Sequence, residues 1–300
     1  MATRLQNLFD RYAQDLERYL PAAKGHFGCP ICWKVIPRVP DLRTVVGEEH
    51  IVPDKLGGRQ VTLTCRRCNN DAGSKLESHL VQRVLVEAHK RPVKTRIEVG
   101  GAVQRAEMLV PTTDEEAIHL EVIEKQSDPR QAAEAQRHLS EAQKSINLQM
   151  NFGYKPLRSA VAVLRAGYLK MFQTFGYSYV LDPSATGIRA QLENEAEKTP
   201  VLSGIMWKVP DPVPIGTSVA IMTKPVPIAS FVVLLELSKQ PAHVAAVAFP
   251  PPGTGGRDFY SKFQSNDWAG PKKMTPVIPE DPALFLPLVG CWEEIRSRHF

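Results

Sequence analysis

A chain of 300 residues with 43% hydrophobic content can bury a sizeable core without disulfide support, and its length favours two domains over one. No run approaches the roughly 18 unbroken apolar residues of a membrane-spanning helix, and the N-terminus is amphipathic and mixed in charge, unlike a secretion signal. A cytoplasmic location without a membrane partner is therefore expected. The formal charge of +5 is unevenly spread: residues 1–91 hold 15 Lys/Arg and 10 Asp/Glu, while the remainder holds 22 of each. That asymmetry turns the N-terminal third toward a polyanion, although a solvated basic surface accounts for it equally well.

In chain order, Leu5, Leu8, Phe9, Tyr12, Leu16 and Leu20 recur at three- and four-residue spacings and predict one helix over 3–20, ended by Pro21. From Cys29 to about Arg91 the pattern is short strands and turns, with Gly57-Gly58 marking a tight turn, and then a helix over Ser74–His89. Alternation in VKTRIEVGGAVQRAEMLV predicts a hairpin turning at Gly100-Gly101, AIHLEVIE a third strand, and DPRQAAEAQRHLSEAQKSI a solvent-facing helix. KPLRSAVAVLRAGYLKMFQTFGY is the most apolar helix in the chain and the expected core of a second domain. Four β-like runs follow, VLSGIMW, SVAIMT, FVVLLEL and HVAAVAF, and PVIPEDPALFLPLVGCW is too rich in proline for regular structure. The aromatics Phe152, Tyr154, Tyr168, Phe172, Phe175, Tyr177 and Tyr179 read as core residues before base-stacking ones. PPGTGGRD, at 251–258, lacks the Lys-Ser/Thr of a phosphate-binding loop.

Four of the five cysteines form two C-x-x-C pairs, Cys29/Cys32 and Cys65/Cys68, with 32 residues between them. In a reducing compartment such pairs mean metal, because each tight turn presents two sulfurs and one Zn²⁺ accepts four at about 2.3 Å. A closed site of four thiolates has no open coordination position, so this zinc is expected to be structural. Cys291, beside Trp292, reads as a small apolar residue.

Between and after the knuckles the chain reads EEHIVP from Glu48, LGG from Leu56 and TCRRCNN from Thr64. This combination resembles the zinc-bearing form of the HNH endonuclease motif over roughly residues 25–80. With the helices and strands predicted above, the chain reads as α+β, with a mixed α+β accessory domain of unassigned role over 92–300. The resemblance implies that 1–91, after the N-terminal helix, is a ββα-metal zinc module. It also implies hydrolysis of phosphodiester bonds in nucleic acid, DNA first. His50 would be the general base, an imidazole of ordinary pKa about 6.5. Glu49 and Asn69, with Asn70 and Asp71 as alternatives, would hold Mg²⁺ or another divalent ion through oxygen.

Glu49 stands where the family often has Asp. Gln60 stands in place of the Asn that braces the histidine loop, and can make the same two-sided amide bonds. Ala72 replaces a frequent Lys, with Lys75 nearby. Arg59, Arg66, Arg67 and Lys75 would contact phosphates, or form a solvated basic face. The family setting implies restriction, defence or mobile-element maintenance, where a homo-oligomer or a defence-system partner would fit. The competing reading is a non-catalytic zinc module that binds nucleic acid or serves as an adaptor; it needs zinc but no second, hard-cation site.

Overall fold

The structure is a computed structural model that describes residues 3–87, 92–99, 102–109, 119–122, 129–130, 133, 137, 147–193, 204–206, 216–239, 242–265, 273–278 and 284–299. Helices and antiparallel sheets alternate along it, giving the mixed α+β class expected from sequence. No helix among the described residues is long and apolar enough to cross a membrane.

Helix α1 (Arg4–Tyr19) begins at Thr3, whose hydroxyl accepts from the Gln6 amide while the Gln6 side chain accepts from the Thr3 amide. This reciprocal cap satisfies two orphan donors. Short strands β1 (His26–Gly28) and β2 (Val35–Pro37) flank the first knuckle, and β3 (Val46–His50) pairs antiparallel with β4 (Gln60–Cys65). Helix α2 (Arg66–Ala72) follows without a loop.

The helix expected over Ser74–His89 is split: a π-helical turn, Gly73–Glu77, precedes α3 (Ser78–Glu87). Next come β5 (Val93–Val99), β6 (Ala102–Leu109), β7 (His119–Val122) and β8 (Asn147–Asn151), then α4 (Pro156–Phe175), α5 (Tyr177–Val180) and α6 (Thr186–Glu193). The chain closes with β9 (Ile205–Met206), β10 (Ser218–Lys224), β11 (Ser230–Lys239), β12 (Ala242–Phe249), α7 (Gly256–Ser265), β13 (Lys273–Val277) and α8 (Leu288–His299).

By packing, residues 1–77 and 160–300 form one unit and 78–159 another. In the first, β13-β10-β11-β12-β9 make one antiparallel sheet. Its middle strands β11 and β12 carry unbroken apolar runs, Phe231–Leu235 and Val244–Phe249, that are buried except at Val244. The proline-rich stretch expected to be irregular instead opens inside β13 and closes inside α8. Pro276 is tolerated because β13 is an edge strand, where one side of the backbone needs no ladder bond.

Within that unit α1 lays Phe9, Tyr12 and Leu16 inward. Tyr12 stacks on Phe172 of α4 at 4.4 Å between ring centroids and meets Phe27 edge-on at 6.0 Å. Tyr177 donates its hydroxyl to the Gly28 carbonyl and accepts from the Gly28 amide, and Tyr168 donates to the Pro30 carbonyl. The aromatics of α4 and α5 are thus core residues, as their spacing predicts, and they anchor the backbone of the first knuckle.

The second unit carries the four-stranded sheet β7-β6-β5-β8. Strand β5 alternates buried Val93 and Thr95 with exposed Lys94 and Arg96, the pattern of a half-buried strand. β5 and β6 pair antiparallel up to Val99↔Ala102, and the turn expected at Gly100-Gly101 lies outside the described residues. Of the predicted helix over 128–146, residues 129, 130, 133 and 137 are helical and the rest lies outside the described residues. The VLSGIMW strand is described only at 204–206.

Candidate functional site

The cysteines meet first. Cys29 leaves β1 in a tight turn: its amide donates to Lys34, its carbonyl accepts from Trp33, and Trp33 adopts φ +57°. Cys65 ends β4 and caps α2, its sulfur accepting from the Cys68 amide, while the Cys65 amide donates to the Cys29 sulfur. All four Sγ atoms lie within 4.8 Å of one another, and Cys32 and Cys65 are 3.6 Å apart. A tetrahedron of sulfurs about 2.3 Å from zinc has edges of about 3.8 Å, so the cluster fits one such ion. The crowding splits their titration. Burial holds the Cys29 thiol well up, whereas the hydrogen bond from Cys29 brings Cys32 down to about 6.

The β3-β4 hairpin carries the second group of residues. Gly57 turns it at φ +83°, a left-handed setting that favours glycine, and a Cβ on Gly58 would lie 1.6 Å from the Val52 carbonyl oxygen, so no side chain fits there. Register runs Gly47↔Thr64, Glu49↔Thr62 and then His50↔Gln60, so Val61 is an extra residue on β4. Such a bulge re-aims the side chains around it. It falls between Glu49 and His50.

Glu49 is only 2% exposed, and both carboxylate oxygens are engaged. Oε1 accepts from Nη1 of Arg165 at 2.7 Å; Oε2 accepts from Thr64 Oγ1 at 2.9 Å and from Asn69 Nδ2 at 2.7 Å. Asn69 also donates to the Glu48 carbonyl at 3.1 Å, so Nδ2 faces two acceptors and Oδ1 is the atom left for another partner. Gly47 makes this possible: a Cβ there would sit 2.8 Å from Asn69 Nδ2. Glu48 instead pairs with Arg4 at 3.5 Å.

His50 is half-buried, its Nε2 3.9 Å from Oδ1 of exposed Asp54. Gln60 stands across the strands from it with no side-chain bond among the described residues. Glu77, at the end of the π turn, is half-buried in the field of Glu49, Arg165 and His50. Burial and then Glu49 push its carboxyl up, against Arg165 and His50.

Arg165 and Glu77 were not singled out from sequence. Arg165 had a signal, since an arginine inside the apolar run AVAVLRAGYL demands a buried counter-charge. Glu77 had none. Arg165 is 6% exposed and also donates from Nη2 to the Cys68 carbonyl at 3.3 Å. Burial works against its charge, but Glu49, with Glu77 and Cys29 behind it, holds the guanidinium's pKa above its ordinary value.

The other expected contacts lie outside this cluster. Arg59, Arg66 and Arg67 are exposed; Arg66 donates to the Arg43 carbonyl, and the Cys32 sulfur holds the Arg67 charge further up. Lys75 is exposed and pairs with Asp71 at 3.5 Å, and Asn70 is exposed.

The ordered sequence of knuckle, hairpin, knuckle and helix head can now be compared with known proteins. Residues 29–85 match the family model described as HNH endonuclease. No curated protein and no solved structure matches the chain. The HNH segment starts at the first knuckle cysteine and ends inside α3. It contains Glu49, His50, Asn69 and all four clustered cysteines, and it leaves out Arg165.

The cysteine cluster fits zinc by geometry and by ligand type. For a hard cation the donor chemistry is in place, with the Glu49 carboxylate and the Asn69 amide in contact, but the carboxylate is held by a guanidinium.

Proposed function

We propose that the protein is an HNH-type endonuclease that hydrolyses phosphodiester bonds in nucleic acid, with DNA as the substrate. Zinc on Cys29, Cys32, Cys65 and Cys68 is its scaffold. One observation carries the reading: Asn69 of α2 reaches Glu49 of β3, 20 residues away in sequence and next to His50, at 2.7 Å. The head of the following helix is pinned there by the sulfur cluster.

His50 is the base. A nitrogen of its half-buried imidazole would take the proton of the attacking water. Magnesium or a similar divalent ion, held by Glu49 and Asn69 with Asn70 as alternative, would polarise the phosphate and neutralise the leaving oxygen. Arg59, Arg66, Arg67 and Lys75 supply exposed positive charge for the flanking phosphates. Gln60, opposite His50 across the strands, would back the histidine loop. The chemistry lies within residues 1–91, and 92–300 serve as the accessory part. A reducing compartment such as the cytoplasm keeps the four thiols available to zinc.

The expected outcome for His50→Ala is loss of plasmid nicking by about 100-fold or more, with zinc content and circular dichroism unchanged. Retained cleavage by a purified variant removes His50 from the mechanism. A second reading, a non-catalytic zinc module binding nucleic acid, is favoured by the full engagement of Glu49 with Arg165, Thr64 and Asn69. It requires that wild type bind DNA without cutting it at any Mg²⁺ or Mn²⁺ concentration.

A further inference from the structure

We infer that Arg165 is a positioning residue occupying the cation position of Glu49, so that a divalent ion and this guanidinium compete for one carboxylate. The inference rests on the nuclease reading and deepens it. Arg165 lies on α4, 80 residues beyond the last residue of the HNH segment, among buried Val161, Val163, Leu164, Ala166 and Leu169. Nothing in that apolar face calls for a charge except what it reaches. Its fork spans two points, Oε1 of Glu49 at 2.7 Å and the Cys68 carbonyl at 3.3 Å, and so ties the acid to the second knuckle.

Competition follows from geometry. Thr64 and Asn69 take both favourable directions at Oε2, which leaves Oε1 as the oxygen a hard cation would need. That atom is buried under Arg165. An ion about 2.1 Å from Oε1 would stand within about 4 Å of the guanidinium, where like charges in a weakly screened interior repel strongly. Glu49 therefore binds one or the other.

The alternative place for the guanidinium is beside it. A cavity of about 290 Å³ is lined by Arg165 together with Cys32, Arg67 and the carboxylate residues Asp71 and Glu193. Turning into it would exchange Glu49 for a carboxylate on another element. Glu49 would then face the ion together with Asn69 Oδ1.

The test is Mn²⁺ binding by the zinc-loaded full chain, read by water-proton relaxation without any substrate. Arg165→Gln is expected to bind Mn²⁺ about ten-fold more tightly than wild type, or tighter still. Equal or weaker binding by the folded variant, with wild type binding, overturns the competition and leaves the nuclease reading standing. Absence of Mn²⁺ binding in both removes the Glu49–Asn69 cation site, and the inference falls with that reading.

Because losing a buried partner can unfold a chain, a second measurement uses wild type alone. The Arg165 guanidinium N–H resonance, assigned by its loss in Arg165→Lys, is expected to shift in step with added Mg²⁺. A resonance unmoved at Mg²⁺ concentrations that saturate the protein overturns the proposal.

Discussion

A carboxylate buried as Glu49 is survives only because three donors from three elements converge on it: Thr64 from β4, Asn69 from α2 and Arg165 from α4. Removing these partners should cost unequally. Thr64→Val deletes one neutral donor of a charged acceptor and is expected to destabilise by about 1–3 kcal/mol. Glu49→Gln leaves the guanidinium of Arg165 buried without its hydrogen-bonded counter-charge, and is expected to cost about 3–5 kcal/mol. Urea denaturation of the two variants checks the order, and a Glu49→Gln cost no larger than that of Thr64→Val would contradict a buried ion pair here.

Among the elements, α1 shows how a surface helix becomes part of the site's foundation. Asp15 on its inner face is 3% exposed and accepts from the Tyr177 amide at 2.7 Å, which joins α1 to α5. Burial raises its carboxyl above the ordinary value, against the Tyr177 amide and Arg18. The folded state therefore holds this proton to higher pH than the unfolded chain does. Its contribution is most favourable below the unfolded value of 3.8 and is lost as pH rises through the folded value. Asp15→Asn keeps an acceptor for Tyr177 and cannot ionise. Its stability, followed by urea titration upward from about pH 4, should fall less than that of wild type. Parallel curves would show that Asp15 is ionised without penalty. The hairpin β3-β4 works by sterics instead: Gly47 admits Asn69, Gly58 admits the Val52 carbonyl, and the bulge at Val61 separates the settings of Glu49 and His50.

At the scale of the whole molecule, the part that carries the cysteine cluster does not enclose its own core. Tyr12, edge-on to Phe27, packs on Phe172 and Tyr177, and the backbone of the first knuckle is bonded to Tyr168 and Tyr177. A fragment of residues 1–91 with equimolar zinc is accordingly expected to lack a cooperative thermal transition and dispersed amide resonances. Adding the segment through residue 193 should not suffice either if the sheet β10-β11-β12 is required behind it, where Phe231 packs against Phe175 at 5.1 Å. A well-dispersed spectrum from 1–91 alone would mean that the zinc cluster by itself carries the fold of that segment.

The sequence by itself determined what depends on short separations. The periodicity of α1 and α4, the antiparallel pairing of β5 with β6, the paired knuckles and the order of Glu49, His50 and Asn69 were all legible, because each is written in neighbouring residues. The π turn at Gly73–Glu77 and the regular ends of the proline-rich segment were not, since local propensity is overridden where packing or an edge position decides. Tertiary structure alone decided the partner of Glu49. Arg165 stands 116 residues away in sequence, and only folding into a low-dielectric interior, where a lone charge is untenable, brings the two together.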